Sequence, residues 1–278
     1  MKPPIPLCSK PVAFGLMAQQ LPAIESSAAL LNGAVAIALQ HDEKLDPANI
    51  DAALTAIAET VRARVRGPQP QALLAHLHEV LFEEEGFVGN NEEYYIANNS
   101  FISEVLRTRK GLPITLALIY KLVCDKLGLV CRGIGLPGHF IVSVEIGGFT
   151  TLIDPFFGGQ VLSIEEAQQR VRDTVGEEAE WSDEFLHPVS HQQWLTRMLQ
   201  NLLHVYATSG RYYQLAAMLE LEIAIWPTEA RLHKDLAQVL ARLGMSQPAS
   251  AWLSSYLREN PNDPDRSYLE QLLTVLTT

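Results

Sequence analysis

Apolar residues recur at helical spacing through most of the first half of the chain. Prolines at positions 3, 4, 6 and 11 interrupt that spacing, so residues 1–22 are predicted to form an irregular segment. The stretch from Glu25 to Gln40 is rich in alanine and leucine and predicts a mostly buried helix. Asp46 followed by Pro47 has the pattern of an N-cap and a first-turn proline, which predicts a helix to about Arg66.

The pattern changes in the middle of the chain. Residues 83–99 are polar, aromatic and glycine-bearing, which favours a long ordered loop. The tripeptide Gly111-Leu112-Pro113 begins a helix that is apolar nearly all round, and Gly128 ends it. The apolar period then falls to two. We therefore predict an antiparallel sheet with a turn at Gly147-Gly148 and strands over residues 129–135, 139–146 and 149–153.

The C-terminal third is predicted to be all helical and to contain a repeat. Residues 202–210 align with residues 236–244 at an offset of 34, and Trp226-Pro227 aligns with Asn260-Pro261 at the same offset. That period is typical of tetratricopeptide repeats, in which a helix pair ends in a proline-bearing turn. Two units are visible and about three are needed for independent stability, so we expect this region to pack on the first half.

These elements predict an α+β chain in two folded parts. Ser163 and Glu166 form a capping box, which adds one helix after the sheet. Residues 23–182 then form a domain of helices packed on a small antiparallel sheet, after the irregular segment of residues 1–22. Residues 183–278 form an all-α, tetratricopeptide-like helical domain.

Composition narrows the function classes. The chain of 278 residues carries a net charge of -11, which disfavours binding to nucleic acid or to an anionic membrane. Its three cysteines are too few and too odd in number for a disulfide framework, which favours a reducing compartment. No signal peptide is evident, and no apolar run is long enough to span a bilayer. We expect a cytoplasmic protein without a membrane or nucleic-acid partner.

The candidate chemistry centres on one histidine and one aspartate. His139 opens a predicted strand, and Asp154 ends the partner strand of the same hairpin. With the turn at residues 147–148, position 139 pairs near position 156, so the two side chains lie close in register. A carboxylate beside a histidine fixes the ring tautomer and stabilises the imidazolium. The pair is either a catalytic dyad or a structural hydrogen bond that closes the hairpin.

A nucleophile to accompany this pair is hard to find. Cys124 and Cys131 occupy apolar positions of a helix and a strand and are predicted to be core residues. Thr115 lies near a helix start, but a hydroxyl is a far weaker acid than a thiol and stays protonated there. One histidine with Asp154 supplies too few ligands for a metal, so neither a metal nor another cofactor is expected.

Polar and turn-forming residues upstream of the apolar helix are candidates for ligand binding. A polar aromatic loop of this kind either lines a cleft or is held by its own side-chain hydrogen bonds, and the sequence leaves both open. The binding candidates are Tyr95, Asn98, Asn99, Ser100, Gly111, Pro113 and Thr115.

Three segments together carry a family resemblance: NNSFISEVLRTRKGLPITLALIYKLVCDKLGL, GLPGHFIVSV and LIDPFFGG. They resemble a bacterial family of transglutaminase-like proteins with C-terminal tetratricopeptide-like repeats, known loosely as the Sir-B type and linked by name to regulation. The resemblance implies a papain-like core in which His139 and Asp154 match two members of the transglutaminase triad. The triad cysteine, expected at the start of the apolar helix, is replaced by Pro113 or Ile114.

The missing thiol decides between two functions. Loss of a triad nucleophile costs roughly 10⁴–10⁶ in rate. The favoured function is therefore a non-catalytic, transglutaminase-like protein that binds a protein or peptide partner in the cleft lined by His139, Asp154 and residues 90–99. The repeat region is expected to add a helical groove for the partner, and the resemblance implies a regulatory role. The alternative is a hydrolase or acyltransferase that uses His139 and Asp154 with a substituted nucleophile or an activated water.

Overall fold

A computed structural model describes residues 6–67 and 69–277. Helices dominate the N-terminal half, and a π-helical turn over Glu79–Glu84 extends the fourth of them. These helices are α1 (Pro11–Gln20), α2 (Ser27–Leu39), α3 (Pro47–Arg64), α4 (Pro70–His78), α5 (Ile102–Thr108) and α6 (Pro113–Leu127). The N-cap predicted at Asp46 is confirmed, since its side chain accepts a hydrogen bond from the amide of Ala48 at 2.9 Å.

The prediction that residues 1–22 are irregular is wrong for most of the segment. Residues 11–20 form α1, and Leu21–Ala23 continues it as a 3-10 turn. Pro11 is the first residue of α1, where a missing amide proton costs nothing because that position has no intrahelical acceptor. Phe14 and Met17 are buried, so packing of one helix face stabilises α1. Residues 1–5 lie outside the described residues.

Two small sheets follow. Strands β1 (Val88–Gly89) and β2 (Lys110–Gly111) form a short parallel pair beside the long loop. The main sheet of the described residues is antiparallel, in the order β3 (Cys131–Ile134), β4 (Ile141–Ile146), β5 (Phe149–Asp154) and β6 (Gln160–Leu162). The predicted hairpin is confirmed, with Ile146 paired to Phe149 across the turn.

Both faces of the main sheet are covered, because successive side chains of a strand point to opposite faces. Val142 and Val144 belong to the same hydrophobic cluster as the buried residues of α6. Ile141 instead packs with Ala167 of α7 (Ile164–Val175). The capping box predicted at Ser163 starts α7, as expected. The ends of β4 and β5 therefore lie between α6 and α7.

The C-terminal third is helical and its geometry repeats. It contains α8 (His191–Thr208), α9 (Tyr212–Ile225), α10 (Ala230–Arg242), α11 (Ser246–Glu259) and α12 (Arg266–Thr277). The ends of α8 and α10, and likewise of α9 and α11, are 34 residues apart. The residue before α9, Arg211, has φ -85° and ψ 65°, and its counterpart Met245 has φ -84° and ψ 65°. The offset found in the sequence is thus an internal structural repeat.

The helical third packs directly on the rest of the chain, as expected. The ring of Trp194 in α8 is fully buried, and its indole nitrogen lies 3.4 Å from the carbonyl oxygen of Ile114 in α6. A Cβ at Gly133 would lie 2.3 Å from this ring, so β3 approaches α8 this closely only with glycine there. Gly33 in α2 likewise lets the Leu195 side chain of α8 approach closely, because a Cβ at position 33 would lie 2.4 Å from it. None of the described helices is long and apolar enough to cross a bilayer.

Candidate functional site

His139 and Asp154 meet where β4 begins and β5 ends. The register Val142–Ile153 brings the two residues together, as the hairpin spacing predicted. Nε2 of His139 donates to Oδ2 of Asp154 at 2.8 Å, and Oδ1 accepts the amide of Phe156 at 3.1 Å. Asp154 is fully buried, so its carboxylate depends on these donors for the interactions that water would otherwise supply.

A third residue, Arg170, completes the site. It lies in α7, and its Nε donates to Oδ2 of Asp154 at 3.2 Å. Its Nη2 donates to Gln160 at 2.6 Å, and its guanidinium carbon lies 3.9 Å from the ring centre of Phe157. Arg170 was not among the site residues predicted from the sequence. Its position in the sequence could have identified it. Arg170 lies three residues after Ala167, so both lie on the same side of the helix predicted after the sheet, and the arginine lies next to the buried face.

The helical third also reaches this site. Arg197 of α8 donates from Nη2 to the carbonyl oxygens of Leu136 and His139, each at 2.8 Å. Burial lowers the pKa of Arg197, with a small opposing effect from Tyr94. These two hydrogen bonds hold the turn that positions the histidine, so the site depends on both parts of the chain.

Access to the histidine is nearly closed. The residue is 5% exposed, and the rings of Phe156 and Phe157 lie 5.9 and 6.0 Å from its own ring centre. Within the described residues, the hydroxyls of Ser100 and Thr115 have no hydrogen-bond partner, so neither one donates to the His139 ring. The arrangement fixes the tautomer of the imidazole but places no bonded hydroxyl nucleophile against it.

The cysteines do not supply an activated thiol in the described part of the chain. All three are buried free thiols. Burial raises the pKa of Cys124 well above its usual range, and its hydrogen bond with Cys131 raises it further. Burial, with a contribution from Glu220, raises the pKa of Cys8 to about 12. The thiols of Cys8 and Cys124 therefore remain protonated and unreactive near neutral pH. The described residues contain no cluster of three or more His, Cys, Asp or Glu side chains able to hold a metal ion.

The loop upstream of α6 is held by its own hydrogen bonds. Asn90 donates to Oδ1 of Asn99 at 2.9 Å, and Asn99 donates to the carbonyl oxygens of Glu93 and Tyr94. Most binding candidates are therefore inside the protein. The buried ones are Asn99, Ser100, Gly111, Pro113 and Thr115, Asn98 is partly buried, and Tyr95 is 72% exposed.

Tyr95 leads to an open groove in the helical third. Its ring centre lies 6.0 Å from that of His204, which lines a groove of about 690 Å³ between α8, α9, α10 and α12. Apolar side chains form much of the lining: Leu203, Leu215, Leu219, Val239 and Leu272. None of the residues that line this groove was among the predicted binding residues, although the predicted Tyr95 lies next to it. The 34-residue repeat was the signal for it, because stacked helix pairs curve around a concave surface.

Comparison with known proteins agrees with this fold. The family model of the transglutaminase-like superfamily matches residues 48–200. A UPF0162 protein of Xylella fastidiosa (strain 9a5c) is 31% identical, with 84% of each chain covered. One from Vibrio cholerae is 25% identical over 89% of this chain and 92% of its own.

A eukaryotic relative shares part of the chain. F-box only protein 21 of Homo sapiens is 28% identical over 64% of this chain, which is 29% of that protein. No solved structure matches the fold. A family match across more than half of the chain, together with the bacterial relatives, identifies this protein as a member of the transglutaminase-like superfamily and of the UPF0162 family.

Proposed function

We propose that this protein is a non-catalytic, transglutaminase-like protein that binds a peptide or protein segment in the groove of its helical third. One contrast carries the proposal. The histidine and aspartate of the triad are closed in by aromatic rings and hydrogen-bonded to each other, whereas the groove is open. In this proposal the helices form tetratricopeptide-like repeats, and their concave surface is the binding surface.

The composition of the groove suits a peptide. Its lining is mainly apolar, and polar side chains stand among the apolar ones, including His204, Tyr212, Arg231 and Asp235. Apolar contacts supply affinity, and convergent polar groups fix the register of a bound segment. The exposed Tyr95 extends this surface from the loop beside His204. Aromatic side chains with a polar tip are frequent anchors in protein interfaces.

The His139–Asp154–Arg170 network then has a structural role. It joins the end of the hairpin to α7, while Arg197 ties the preceding turn to α8. A buried carboxylate with its partners in place is costly to disrupt, because loss of one partner leaves a charge uncompensated. We propose that these hydrogen bonds stabilise the position of α8, which forms one side of the groove. The three buried free thiols suit a reducing compartment such as the cytoplasm.

A hydrolase or acyltransferase remains the second candidate, on one observation. The hydrogen bond to Asp154 uses Nε2, which leaves Nδ1 as the ring nitrogen for an incoming water or substrate. Phe157 is 43% exposed and would have to swing away to admit either of them.

The experiment blocks the groove and follows peptide binding. Short random peptides displayed on phage are selected on the wild-type protein, and the enriched sequences are synthesised and titrated. Ala207→Arg places a long side chain in the groove from an exposed helical position and should weaken binding by roughly tenfold or more. Ala251→Arg, at an exposed position of α11 outside the groove, is the matched control. Its affinity for the peptides should stay within about twofold of that of wild type.

The same preparations are assayed for amidase, protease and transamidase activity. No turnover above buffer is expected, because the described site holds no bonded nucleophile. Robust turnover that His139→Ala abolishes would contradict the proposal and establish the enzyme. Selected peptides that bind Ala207→Arg as tightly as wild type would show that the groove is not the binding surface.

A further inference from the structure

A second cavity, whose lining shares no residue with the groove, lies at the starts of two helices. Its volume of about 530 Å³ is typical of small-molecule sites. Lys10 and Pro11 line it from the start of α1, and a second set of residues lines it from the start of α9: Arg211, Tyr213 and Gln214. The partial positive charges of two helix N-termini therefore lie at one cavity.

Each of these helices begins after a basic residue and lacks a side-chain cap. Lys10 and Arg211 occupy the N-cap positions of α1 and α9, and neither N-cap makes a side-chain hydrogen bond to its helix. The amides of Tyr213 and Gln214 in the first turn of α9 have no acceptor among the described residues. A cation at a helix N-terminus is unfavourable, because the helix dipole is positive at that end. An anion bound in the cavity would compensate both helix ends.

A buried tyrosine at the same cavity has an unused hydroxyl. Tyr206 of α8 lines the cavity and is 3% exposed, and its hydroxyl has no hydrogen-bond partner among the described residues. The guanidinium carbon of Arg211 lies 4.9 Å from the centre of its ring. Burial raises the pKa of Tyr206, against the opposing charge of Arg211, so the hydroxyl keeps its proton at neutral pH. A buried donor without an acceptor is unfavourable, so this hydroxyl marks a place for a ligand oxygen.

The internal repeat shows that the fold does not require this polar pair. At the offset of 34 residues, Tyr206 corresponds to Leu240 and Arg211 corresponds to Met245. The backbone angles of Arg211 and Met245 are nearly the same, so the second unit builds the same junction between helices with apolar side chains. The tyrosine and the arginine thus depart from what the junction needs, as residues of a binding site often do.

The charges around the cavity leave one cation without a carboxylate partner. Arg211 forms no ion pair among the described residues. Lys10 lies 3.3 Å from Glu43, whose side chain is 63% exposed, so this ion pair contributes little. The other nearby carboxylate, Glu220, does not line the cavity, and its oxygens accept the amides of residues 7–9. The cavity therefore favours an anionic ligand.

We infer that this cavity binds a small molecule through a phosphate group, which Arg211 and Lys10 hold and to which Tyr206 donates. A phosphate carries the charge that offsets both helix ends, and its oxygens can accept from the guanidinium, the hydroxyl and the first-turn amides together. His41 and Gln214 also line the cavity, where the rest of the molecule would lie. The site is separate from the groove and from His139, so the inference does not depend on the proposed function.

Isothermal titration calorimetry at constant ionic strength tests the site with inorganic phosphate, phenyl phosphate and phenol. Wild type should bind both phosphates with a Kd of about 1 mM or tighter, and phenol much more weakly. Arg211→Met introduces the residue of the second repeat unit and should weaken the binding of phenyl phosphate about tenfold or more. Arg211→Lys keeps the charge but not the planar fork, so its loss should be smaller. Tyr206→Phe removes one hydroxyl and should weaken binding about fivefold.

A control separates the site from general charge attraction. Arg258→Met, at a position of α11 that is 74% exposed and outside the cavity, changes the net charge as Arg211→Met does and should bind within about twofold of wild type. Circular dichroism checks the fold of each variant, and Tyr206→Phe tests the site independently of Arg211. The inference would be overturned by a wild-type Kd above about 10 mM for both phosphates, by equal losses in Arg211→Met and Arg258→Met, or by phenol binding as tightly as phenyl phosphate. None of these results would bear on peptide binding in the groove.

Discussion

At the scale of single residues, Asp154 determines the character of the candidate site. Its carboxylate is fully buried and accepts hydrogen bonds from His139, Arg170 and the amide of Phe156. In a working triad the aspartate orients a histidine that faces a nucleophile. Here the same carboxylate also bonds to Arg170, and Phe157 stacks over that guanidinium. These contacts join three elements and close the histidine off from solvent.

Asp154→Asn tests the structural role of this residue. The amide keeps the shape of the side chain but removes the charge that Arg170 faces, so the free energy of unfolding should fall by about 3 kcal/mol. Urea unfolding followed by circular dichroism measures it. Asp173→Asn, at an exposed position of the same helix as Arg170, should change stability by less than about 0.5 kcal/mol. A loss below about 1 kcal/mol for Asp154→Asn would show that the network is not structural.

At the scale of elements, a single carboxylate fastens the N-terminal segment to the helical third. Glu220 of α9 accepts the amides of three consecutive residues, Leu7, Cys8 and Ser9, at distances between 2.6 and 3.2 Å. Glu220 is 5% exposed, so water cannot easily replace these bonds. Helix α1 follows this segment directly and packs on α2 and α9. One acceptor thus helps to dock an element that the proline pattern did not predict.

Glu220→Ala should release that segment. Three amides, two of which are buried, lose their charged acceptor, and stability should fall by about 3 kcal/mol. In hydrogen exchange followed by mass spectrometry, residues 6–10 of the variant should exchange faster than the same residues of wild type. The exchange of α6 should be the same in both proteins. Glu259→Ala, whose side chain is 60% exposed on α11, is the control and should leave that exchange unchanged. Unaltered exchange in Glu220→Ala would mean that α1 docks without this contact.

At the scale of the whole molecule, one hydrophobic cluster runs through both parts of the chain. It includes Val142 of the sheet, Leu118 of α6, Trp194 of α8 and Leu236 of α10. The family match also continues past residue 183 to residue 200, within α8. The division at residue 183 stays a prediction about domains, but packing is continuous across it. We therefore expect the two parts to unfold together.

Trp194→Ala should destabilise both parts at once. Removing a fully buried indole between β3 and α6 should cost about 3–5 kcal/mol. Far-ultraviolet circular dichroism reports mainly on the helices, and pulse-labelling hydrogen exchange with mass spectrometry follows strands β3 to β6 separately. Their transitions should coincide in wild type and move together in the variant. Trp252→Ala, a partly exposed position of α11, should shift them less. Separate transitions in wild type would contradict a shared core.

Local physics accounts for what could be predicted. The N-cap at Asp46, the stop at Gly128 and the hairpin turn at Gly147-Gly148 depend on residues close in sequence, and each lies where its pattern placed it. The register that joins His139 to Asp154 follows from the turn position alone. Such features need no knowledge of what packs against them.

The sequence by itself determined most of the helices, the hairpin, the 34-residue period and the pairing of His139 with Asp154, because each follows from spacing along one chain segment. Only the tertiary structure decided that Arg170 and Phe157 close over that pair and that Arg197 of α8 holds the turn before His139. The burial of a residue and the charges around it depend on side chains from distant segments of the chain. A periodic pattern of apolar residues does not specify which segments pack together.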